Sequence, residues 1–189
     1  MKECEDEGRI IEGCRRGDRA AFHMLFELHK DRVYSIALHF TGEEASARDV
    51  SQQVFLKLFT AINQYRNESQ FTTWLYRVVA NVCLDEQRKH KRFVPIGHTV
   101  EVNNMVTKGS QEDTYIRREM QDSVRAAISD LSPKLRLPIL LKYVEDLSYD
   151  EIASVLGCSK GTVASRLNRG HKALARKLGH LRRALVAED

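Results

Sequence analysis

The stretch SYDEIASVLGCSKGTVASRLNRGHKAL, residues 148–174, has the pattern of two short helices joined by a tight turn. Ser148 followed by Glu151 is a capping box, which predicts a helix start at this serine. Gly157 supplies the turn, and Ser159 is placed to cap the second helix. Two helices joined by such a glycine turn form a helix-turn-helix.

The second helix of this motif has one apolar side and one polar side. Its predicted buried stripe consists of Val163, Leu167, Leu174 and Leu178. In a recognition helix the N-terminal residues reach base edges, whereas later basic residues meet phosphates. The candidate base readers are therefore Ala164, Ser165, Asn168 and Arg169. The candidate backbone contacts are Thr162, Arg166 and Lys172. A glycine at position 170 costs about 1 kcal/mol relative to alanine in a helix interior, and nothing in the sequence explains it.

Helical periodicity also dominates the first half of the chain. Asp18 can cap a helix over residues 19–40, which the Thr-Gly pair at 41–42 would end. A second helix is expected over residues 43–62 and a polar loop over residues 63–69. A third helix is expected from about residue 71 to residue 92.

The hydrophobic pattern disappears over residues 93–113, which contain a proline, two glycines and mostly polar side chains. This stretch predicts a flexible linker. Helices resume near residue 114 and are expected to continue to about residue 184. We therefore expect an all-α protein of two small helical domains, residues 1–92 and 114–189, joined by that linker. The C-terminal domain would carry the helix-turn-helix.

Composition excludes several classes of protein. The chain has 189 residues, of which 42% are hydrophobic and 30% charged, so full-length disorder is not expected. No apolar run approaches the roughly 20 residues of a membrane-spanning helix. The acidic N-terminus MKECEDEGR lacks the pattern of a secretory signal. Export and membrane insertion are excluded, and a cytoplasmic location is expected.

The four cysteines lie far apart and form no C-x-x-C pair. Structural zinc needs close ligand pairs, and disulfide scaffolds are shorter and denser in cysteine. We expect free thiols, no metal site and no cofactor.

The formal net charge of +4 is distributed unevenly along the chain. Residues 1–92 carry 15 basic and 14 acidic side chains, whereas residues 117–189 carry 14 basic and nine acidic ones. Residues 157–187 hold eight basic side chains and no acid, and residues 87–92 form a second basic run without acids. Two basic patches on separate segments favour an extended polyanion as partner, although charge alone is equally typical of a solvated surface.

The second predicted helix carries a leucine on its polar side. Leu56 is three and four residues after Gln53 and Gln52, so these side chains are neighbours, and Asp49 is on the same side. A single exposed leucine is common in any protein. A leucine surrounded by two glutamines and an aspartate also resembles the centre of a protein-docking patch.

A polar strip on the third helix suggests a nucleic-acid contact. Two arginines and an asparagine share this narrow strip, and the preceding loop adds side chains that can stack on or bond to an unpaired base. The candidate residues are Tyr65, Arg66, Asn67, Trp74, Arg77, Asn81, Arg88 and Lys89. The alternative is an ordinary solvent-facing stripe with the tryptophan in the core.

Three segments together resemble a known family. GDRAAF (17–22) with ARDVSQQVFLKLF (47–59) is similar to the start of sigma region two. FTTWLYRVVANVCLDEQRKHKR (71–92) resembles the part of that region that recognises and melts DNA. LSPKLRLPILLKYVEDLSYDEIASVLGCSKGTVASRLNRGHKAL (131–174) resembles region four. The chain therefore resembles an RNA polymerase sigma factor of the sigma-70 family, in the small two-domain extracytoplasmic-function group (ECF, group IV).

This resemblance implies partners and roles for the three surfaces. The helix carrying Asp49, Gln52, Gln53 and Leu56 would dock on the clamp helices of core RNA polymerase. The loop and helix over residues 63–92 would capture a flipped base of the minus-10 element and hold the melted strand. Region four would read the minus-35 element and touch the polymerase flap. Promoter DNA and an anti-sigma factor are the further partners that it implies.

The chain departs from the family at one position. Position 164 is commonly basic in such proteins, and here it is Ala164. An alanine can contact a thymine methyl group but cannot bond to guanine, so the minus-35 sequence it reads is left open.

Two other interpretations remain at this point. A dimeric helix-turn-helix regulator would explain residues 117–184, although no dimerisation heptads are present. A nuclease using Asp146, Asp150 and Glu151 would be an enzyme, but these acids are at a helix start, where capping accounts for them. We expect a promoter-specificity subunit with no catalytic residues.

Overall fold

The computed structural model describes residues 2–93 and 113–179, and the secondary structure of these two ranges is helical without strands. The eight α-helices are α1 Lys2–Arg15, α2 Arg19–Thr41, α3 Glu44–Ala61, α4 Phe71–Phe93, α5 Asp113–Ser129, α6 Pro133–Tyr143, α7 Tyr149–Leu156 and α8 Lys160–Lys177. This all-helical architecture confirms the expected fold class. The side chains of residues 1–6, 90–119 and 180–189 are not among those that the structure describes.

Local sequence signals fix both ends of α2. The carboxylate of Asp18 accepts a hydrogen bond from the backbone N–H of Ala20 at 2.8 Å, as expected of an N-cap. The helix ends at Gly42, whose φ of 78° is the left-handed conformation that glycine adopts without steric cost. The predicted start and stop of this helix are confirmed.

Two elements of the N-terminal half differ from expectation. Helix α1 was not predicted; it packs on α2 through Ile11 and Cys14, and a Cβ at Gly13 would lie 2.6 Å from the Cβ of Ala21. Helix α3 ends at Ala61, within one residue of the predicted end, and Ile62–Gln64 forms a short 3-10 helix where a loop was expected from residue 63. The presence of α1 depends on packing between helices, which a helical hydrophobic pattern alone does not specify.

The helix-turn-helix forms as its caps predict. The Ser148 hydroxyl accepts from the backbone N–H of Glu151, and the Glu151 carboxylate accepts from the backbone N–H of Ser148. Gly157 ends α7 with a φ of 60°, and the Ser159 hydroxyl accepts from the N–H of Thr162 at 3.2 Å. The capping box, the turn and the second cap are confirmed.

Gly170 is explained by the packing of α8 against α6. A Cβ at this position would lie 3.1 Å from Cγ1 and 3.2 Å from Cδ1 of Ile139, a buried residue of α6. Val163 and Leu167 are buried on the same side, as predicted, whereas Leu174 and Leu178 are only half-buried. The glycine therefore permits close approach of two helices.

The two halves of the chain share a continuous core. Helices α5 and α6 pack on α2, and α7 packs on α4. Buried side chains such as Phe40 and Cys83 from the first half belong to the same cluster as Leu137 and Ile152 from the second. The sequence did not predict how the halves are placed relative to each other.

Some expectations fall on residues that the structure does not describe. The predicted linker lies almost entirely outside the described residues, as does the C-terminal end of the expected last helix. Among the described helices, none has the length and apolar character needed to cross a membrane. Within the same residues Cys14, Cys83 and Cys158 are free thiols, and no group of three potential ligands is arranged to hold a metal ion.

Candidate functional site

An apolar groove of about 560 Å³ runs between α2 and α3. Two aromatic pairs line it: Phe22 with Phe59 at 5.0 Å between ring centroids, and Phe26 with Phe55 at 4.7 Å. Phe59 is on the same apolar side of α3 as the buried Phe55 and Leu58, yet 53% of it is exposed. Its ring packs edge-on against Phe22 at the surface, because α2 covers only one side of it. The groove is thus a solvent-accessible aromatic surface.

Leu56 lies at the edge of this groove and is 61% exposed. Gln52 also lines the groove, whereas Asp49 and Gln53 lie outside its lining. Large apolar side chains around a concave surface and a polar rim are typical of protein-docking sites. The structure therefore brings two of the four predicted docking residues into one surface.

The loop between α3 and α4 requires a correction. Tyr65 was predicted to meet an unpaired base, but it is only 7% exposed. Its hydroxyl donates to the carbonyl of Ser69 at 2.7 Å, and its ring packs against Phe71 and Trp74. Burial raises the pKa of this phenol. Tyr65 therefore holds the loop in shape and has no ring face free for stacking.

The residues that follow Tyr65 are exposed. Arg66 projects into solvent, and Asn67 has a φ of 57°, a left-handed conformation that asparagine tolerates better than most residues. Trp74 is half-buried against Tyr65 and Phe71, with a centroid distance of 5.7 Å to each ring. The loop thus presents polar side chains above a cluster of aromatic rings.

The polar strip of α4 is present, and its charges already have partners. Arg88 donates to Asp85 at 3.2 Å, and Lys89 pairs with Glu86 at 3.3 Å. Asn81 is exposed. Exposed pairs of this kind contribute about 0–1 kcal/mol, so phosphate oxygens can replace the carboxylates with little cost.

Arg77 has a different partner. Its guanidinium donates to the backbone carbonyl of Ser154 in α7, at 2.8 Å. On the neighbouring turn, the Tyr76 hydroxyl donates to the carboxylate of Glu145, which lies between α6 and α7. Burial, followed by this hydrogen bond, raises the pKa of the Tyr76 phenol. The polar strip is therefore in direct contact with the helix-turn-helix.

Helix α8 presents its predicted reading side to solvent. Ala164, Ser165, Asn168, Arg169 and Lys172 are all exposed. Arg166 is half-buried, with its guanidinium 3.8 Å from the Cys158 sulfur in the turn, and the Thr162 hydroxyl lies 2.9 Å from that of Ser159. The helix start and one face are thus free to enter a DNA groove.

The acidic residues of the nuclease interpretation have structural partners. Glu151 belongs to the capping box, and the hydrogen bonds with Ser148 lower the pKa of its carboxyl. Asp150 pairs with Lys160 at 2.7 Å, and Asp146 with Lys142 at 3.3 Å. Each acid therefore has a local structural role.

Sequence reasoning missed several residues of these surfaces. None of Phe22, Phe26, Tyr76 and Glu145 was singled out as a site residue. Contacts between distant helices left no local signal.

Comparison with protein families matches both halves of the chain. The model for Sigma-70 region 2 matches residues 25–93, and the model for Sigma-70, region 4 matches residues 121–174. The first match contains the α4 strip and every residue of the groove lining except Phe22, and the second contains the helix-turn-helix.

Similar proteins cover nearly the whole chain. The ECF RNA polymerase sigma factor SigW of Bacillus subtilis is 31% identical over 179 residues, which is 90% of this chain and 96% of SigW. The RNA polymerase sigma-H factor of Pseudomonas aeruginosa is 30% identical over 95% of this chain and 97% of its own. The ECF RNA polymerase sigma-E factor of Escherichia coli is 30% identical over 89% of this chain and 92% of its own.

Solved structures share the fold. CnrH, solved in complex with the cytosolic domain of CnrY, superposes with a TM-score of 0.67 at 21% identity, over 93% of this chain and 98% of its own. The sigma factor RpoE of Bartonella quintana, solved with the anti-sigma factor NepR, gives 0.66 at 22% identity, over 84% of this chain and 96% of its own. With both regions matched in order and whole-length relatives at 30–31% identity, the chain belongs to the extracytoplasmic-function group of sigma-70 family factors, the subunits that bind core RNA polymerase and direct it to promoters for transcription initiation.

Proposed function

We propose that the groove between α2 and α3 is the surface that docks on the clamp helices of core RNA polymerase, with Leu56 as its central contact. Leu56 is a large exposed apolar side chain beside an edge-to-face aromatic pair, and burying this apolar surface against a partner would favour binding. Gln52 supplies a polar rim, and Asp49 and Gln53 would act from the adjacent turns of α3.

The minus-10 element would bind to the α3–α4 loop and the α4 strip. Extruding a base from the duplex costs a few kcal/mol, which contacts in a pocket and to the backbone must offset. Arg66 and Asn67 are exposed and would contact the flipped base. The melted strand would lie along α4 and contact its exposed polar residues, Arg77, Asn81, Arg88 and Lys89. Tyr65 and Trp74 would support the loop from beneath.

The minus-35 element would be read by the N-terminal end of α8. The exposed side chains of Ser165, Asn168 and Arg169 can reach base edges in the major groove, and Ala164 can contact a thymine methyl group. Thr162, Arg166 and Lys172 would position the helix on the phosphates.

These roles assign a sigma region to each segment of the chain and a partner to each region. Residues 1–92 would act as region two, residues 93–113 as the linker and residues 114–189 as region four, which would also contact the flap. The protein would work in the cytoplasm beside core polymerase and carry no catalytic activity of its own. An anti-sigma factor is a further proposed partner, since one structural neighbour, RpoE of Bartonella quintana, was solved with such a protein.

The observation that carries this proposal is the presence of an exposed apolar groove and an exposed recognition helix on one chain. Run-off transcription tests it: purified chain, core polymerase and fragmented genomic DNA from the source organism should yield transcripts from a defined promoter class. Core polymerase alone should not produce them. A gel-shift on the promoters found should require core polymerase, whereas specific duplex binding by the isolated chain at physiological salt would support the dimeric regulator instead.

A further inference from the structure

Helix α1 reaches the loop between α3 and α4 with the side chain of its last residue. The guanidinium of Arg15 donates a hydrogen bond to the backbone carbonyl of Tyr65. Its carbon Cζ also lies 5.8 Å from the centroid of the Tyr65 ring, within the range of a cation–π contact. A residue 50 positions earlier in the chain thus contacts both the backbone and the ring of Tyr65.

Tyr65 makes two further hydrogen bonds, and both are local. Its N–H donates to the carbonyl of Ile62 at 3.2 Å, and its hydroxyl donates to the carbonyl of Ser69 at 2.7 Å. Because these partners are within four residues of Tyr65, the loop can move as a unit without breaking either bond. The bond from Arg15 differs from them, because it ties the loop backbone to another helix.

The Tyr65 carbonyl belongs to the same peptide unit as the N–H of Arg66. Peptide units are planar, so a donor that fixes this carbonyl also fixes the plane from which Arg66 extends. The next residue, Asn67, has a φ of 57°, a left-handed conformation that costs free energy and persists where the surrounding structure imposes it. Arg15 therefore acts on the stretch of backbone that presents these two exposed side chains.

Arg15 itself has a fixed position. Its Nη1 donates to the carboxylate of Glu12 one turn earlier at 3.3 Å, and its side chain is only 25% exposed. Helix α1 packs on α2 through the buried side chains of Ile11 and Cys14. Hydrogen bonds from charged donors are roughly twice as strong as those between neutral groups. The loop is therefore held by a strong bond from a well-anchored helix.

We propose that Arg15 is a positioning residue for minus-10 recognition. By holding the Tyr65 carbonyl, it keeps Arg66 and Asn67 in the conformation in which they meet the extruded base, and it does so without contacting DNA. This inference rests on the proposed function of the loop. It adds α1, which precedes the residues matched by the region 2 family model, to the elements that determine base selectivity.

Three variants of the full chain test this role. Arg15→Met removes the guanidinium and keeps an apolar stem of similar length. Arg16→Met is the matched control, because Arg16 is the exposed neighbour and its replacement changes the net charge equally. Arg15→Lys keeps a charged donor at the position, and it carries the test if Arg15→Met does not fold by circular dichroism.

The first measurement is amide hydrogen exchange of the free chain. Exchange at the Tyr65 N–H should be about tenfold faster or more in Arg15→Met than in wild type, because a hydrogen bond from a charged donor is lost. Arg16→Met should exchange as wild type does. The N–H of Val79, in the buried part of α4, should exchange at the same rate in every variant. Wild-type exchange at Tyr65 in Arg15→Met would overturn the proposal.

The second measurement is base selectivity in the complex with core polymerase. Oligonucleotides with the non-template minus-10 strand of a run-off promoter carry an abasic site at each position in turn, and fluorescence anisotropy gives their affinities. At the position where the wild-type complex loses most affinity, that loss should be smaller by about threefold or more in Arg15→Met. Arg16→Met should keep the wild-type loss, and Arg15→Lys should keep it within about twofold because an ammonium can also donate to the carbonyl.

Several results would contradict the positioning role. Unchanged selectivity in Arg15→Met despite faster exchange would make Arg15 a structural residue only, and an equal loss of affinity for all oligonucleotides would make it a phosphate contact. Equal effects of Arg15→Lys and Arg15→Met would show that the donated hydrogen bond does not hold the loop. A wild-type complex that binds every abasic oligonucleotide equally would instead contradict the proposed function of the loop, so the two failures are distinguishable.

Discussion

The guanidinium of Arg136 in α6 donates a hydrogen bond to the backbone carbonyl of Phe40 in the last turn of α2. The same group donates to the carbonyls of Ser129 and Leu131, and it lies 5.1 Å from the centroid of the Phe40 ring. Burial lowers its pKa, and the negative end of the α2 dipole lies beside its charge. One side chain thus links the C-terminal half to a helix end of the N-terminal half.

Replacing this guanidinium by an apolar side chain of similar length should destabilise the protein. Arg136→Met leaves two buried carbonyls and one half-buried carbonyl without this donor, and we expect the free energy of unfolding to fall by about 2–4 kcal/mol. Urea denaturation followed by circular dichroism measures it. Arg125→Met, at an exposed site on α5, should change stability by less than about 0.5 kcal/mol. Equal stability of the two variants would show that the three carbonyls do not depend on Arg136.

A charge at the edge of the docking groove should strongly weaken polymerase binding. Leu56→Arg places a cation where we propose that an apolar partner packs, and the affinity for core polymerase should fall about 30-fold or more, as for a hot-spot residue. Leu28→Arg is a matched control, because Leu28 is 56% exposed on α2 but outside the groove lining. Binding can be measured by fluorescence anisotropy of labelled chain. Equal affinities of the two variants would place the docking surface elsewhere.

Two residues of α8 should differ in the kind of DNA contact that they make. Arg169→Ala should cost about 1–3 kcal/mol in discrimination between cognate and mutated minus-35 sequences, because an arginine can bond two acceptors of one guanine. Lys172→Ala should weaken binding to all sequences equally. It should also reduce the slope of log affinity against log salt concentration by about 1, because one phosphate contact is lost. Filter binding of promoter DNA by the complex of this chain with core polymerase, at several salt concentrations, distinguishes the two kinds of contact. A uniform loss in Arg169→Ala would reassign it to the phosphates.

The helices and their ends could be predicted from the sequence because their signals are local. Ser148 with Glu151, and Gly42 after α2, act on backbone groups within four residues, so the motif and the geometry coincide. The exposed reading side of α8 followed from helical periodicity in the same way. Periodicity also placed Leu56 on the surface, where the structure has it.

The remaining features depend on contacts between distant helices. Phe59 is exposed although it belongs to the apolar side of α3, and the sequence cannot show that α2 covers only one side of this helix. Tyr65 was expected to face a base, because its hydrogen bond to Ser69 and its packing on Phe71 depend on the folded loop. The position of the C-terminal half, and with it the burial of Arg136, is set by surfaces more than 40 residues apart.

A buried histidine should make stability depend on pH. His29 is buried, its Nε2–H donates to Glu7 at 3.2 Å, and its Nδ1 has no partner. Desolvation lowers its pKa, an effect that the nearby Glu7 opposes in part. The unfolded chain therefore takes up this proton at higher pH than the folded chain does. Stability should be full above about pH 6.5 and should fall as pH decreases through the lowered folded pKa.

His29→Gln removes this proton, so the variant should lose less stability than wild type between pH 7.5 and pH 5. Urea denaturation at several pH values gives both profiles. His23→Gln, at an exposed position six residues earlier on α2, should retain the wild-type profile. Parallel profiles for wild type and His29→Gln would show that His29 has the same pKa in the folded and unfolded chains.

Alanine at position 170 should destabilise the protein although alanine favours helix. The added Cβ would lie 3.1 Å from Ile139 Cγ1, and the buried isoleucine has little room to move. Overpacking costs about 1–3 kcal/mol and exceeds the gain of about 1 kcal/mol in helix propensity, so Gly170→Ala should be less stable by about 1 kcal/mol. Gly161→Ala is the control in the same helix, because its Cβ would meet open space apart from the Ser159 hydroxyl at 4.0 Å, and it should not destabilise the protein.

A double-mutant cycle tests the contact itself. Ile139→Val removes Cδ1, and it should lower the free energy of unfolding less in the Gly170→Ala background than in wild type. Additive changes in this double-mutant cycle, measured by urea denaturation, would show that the contact with Ile139 does not determine the need for glycine.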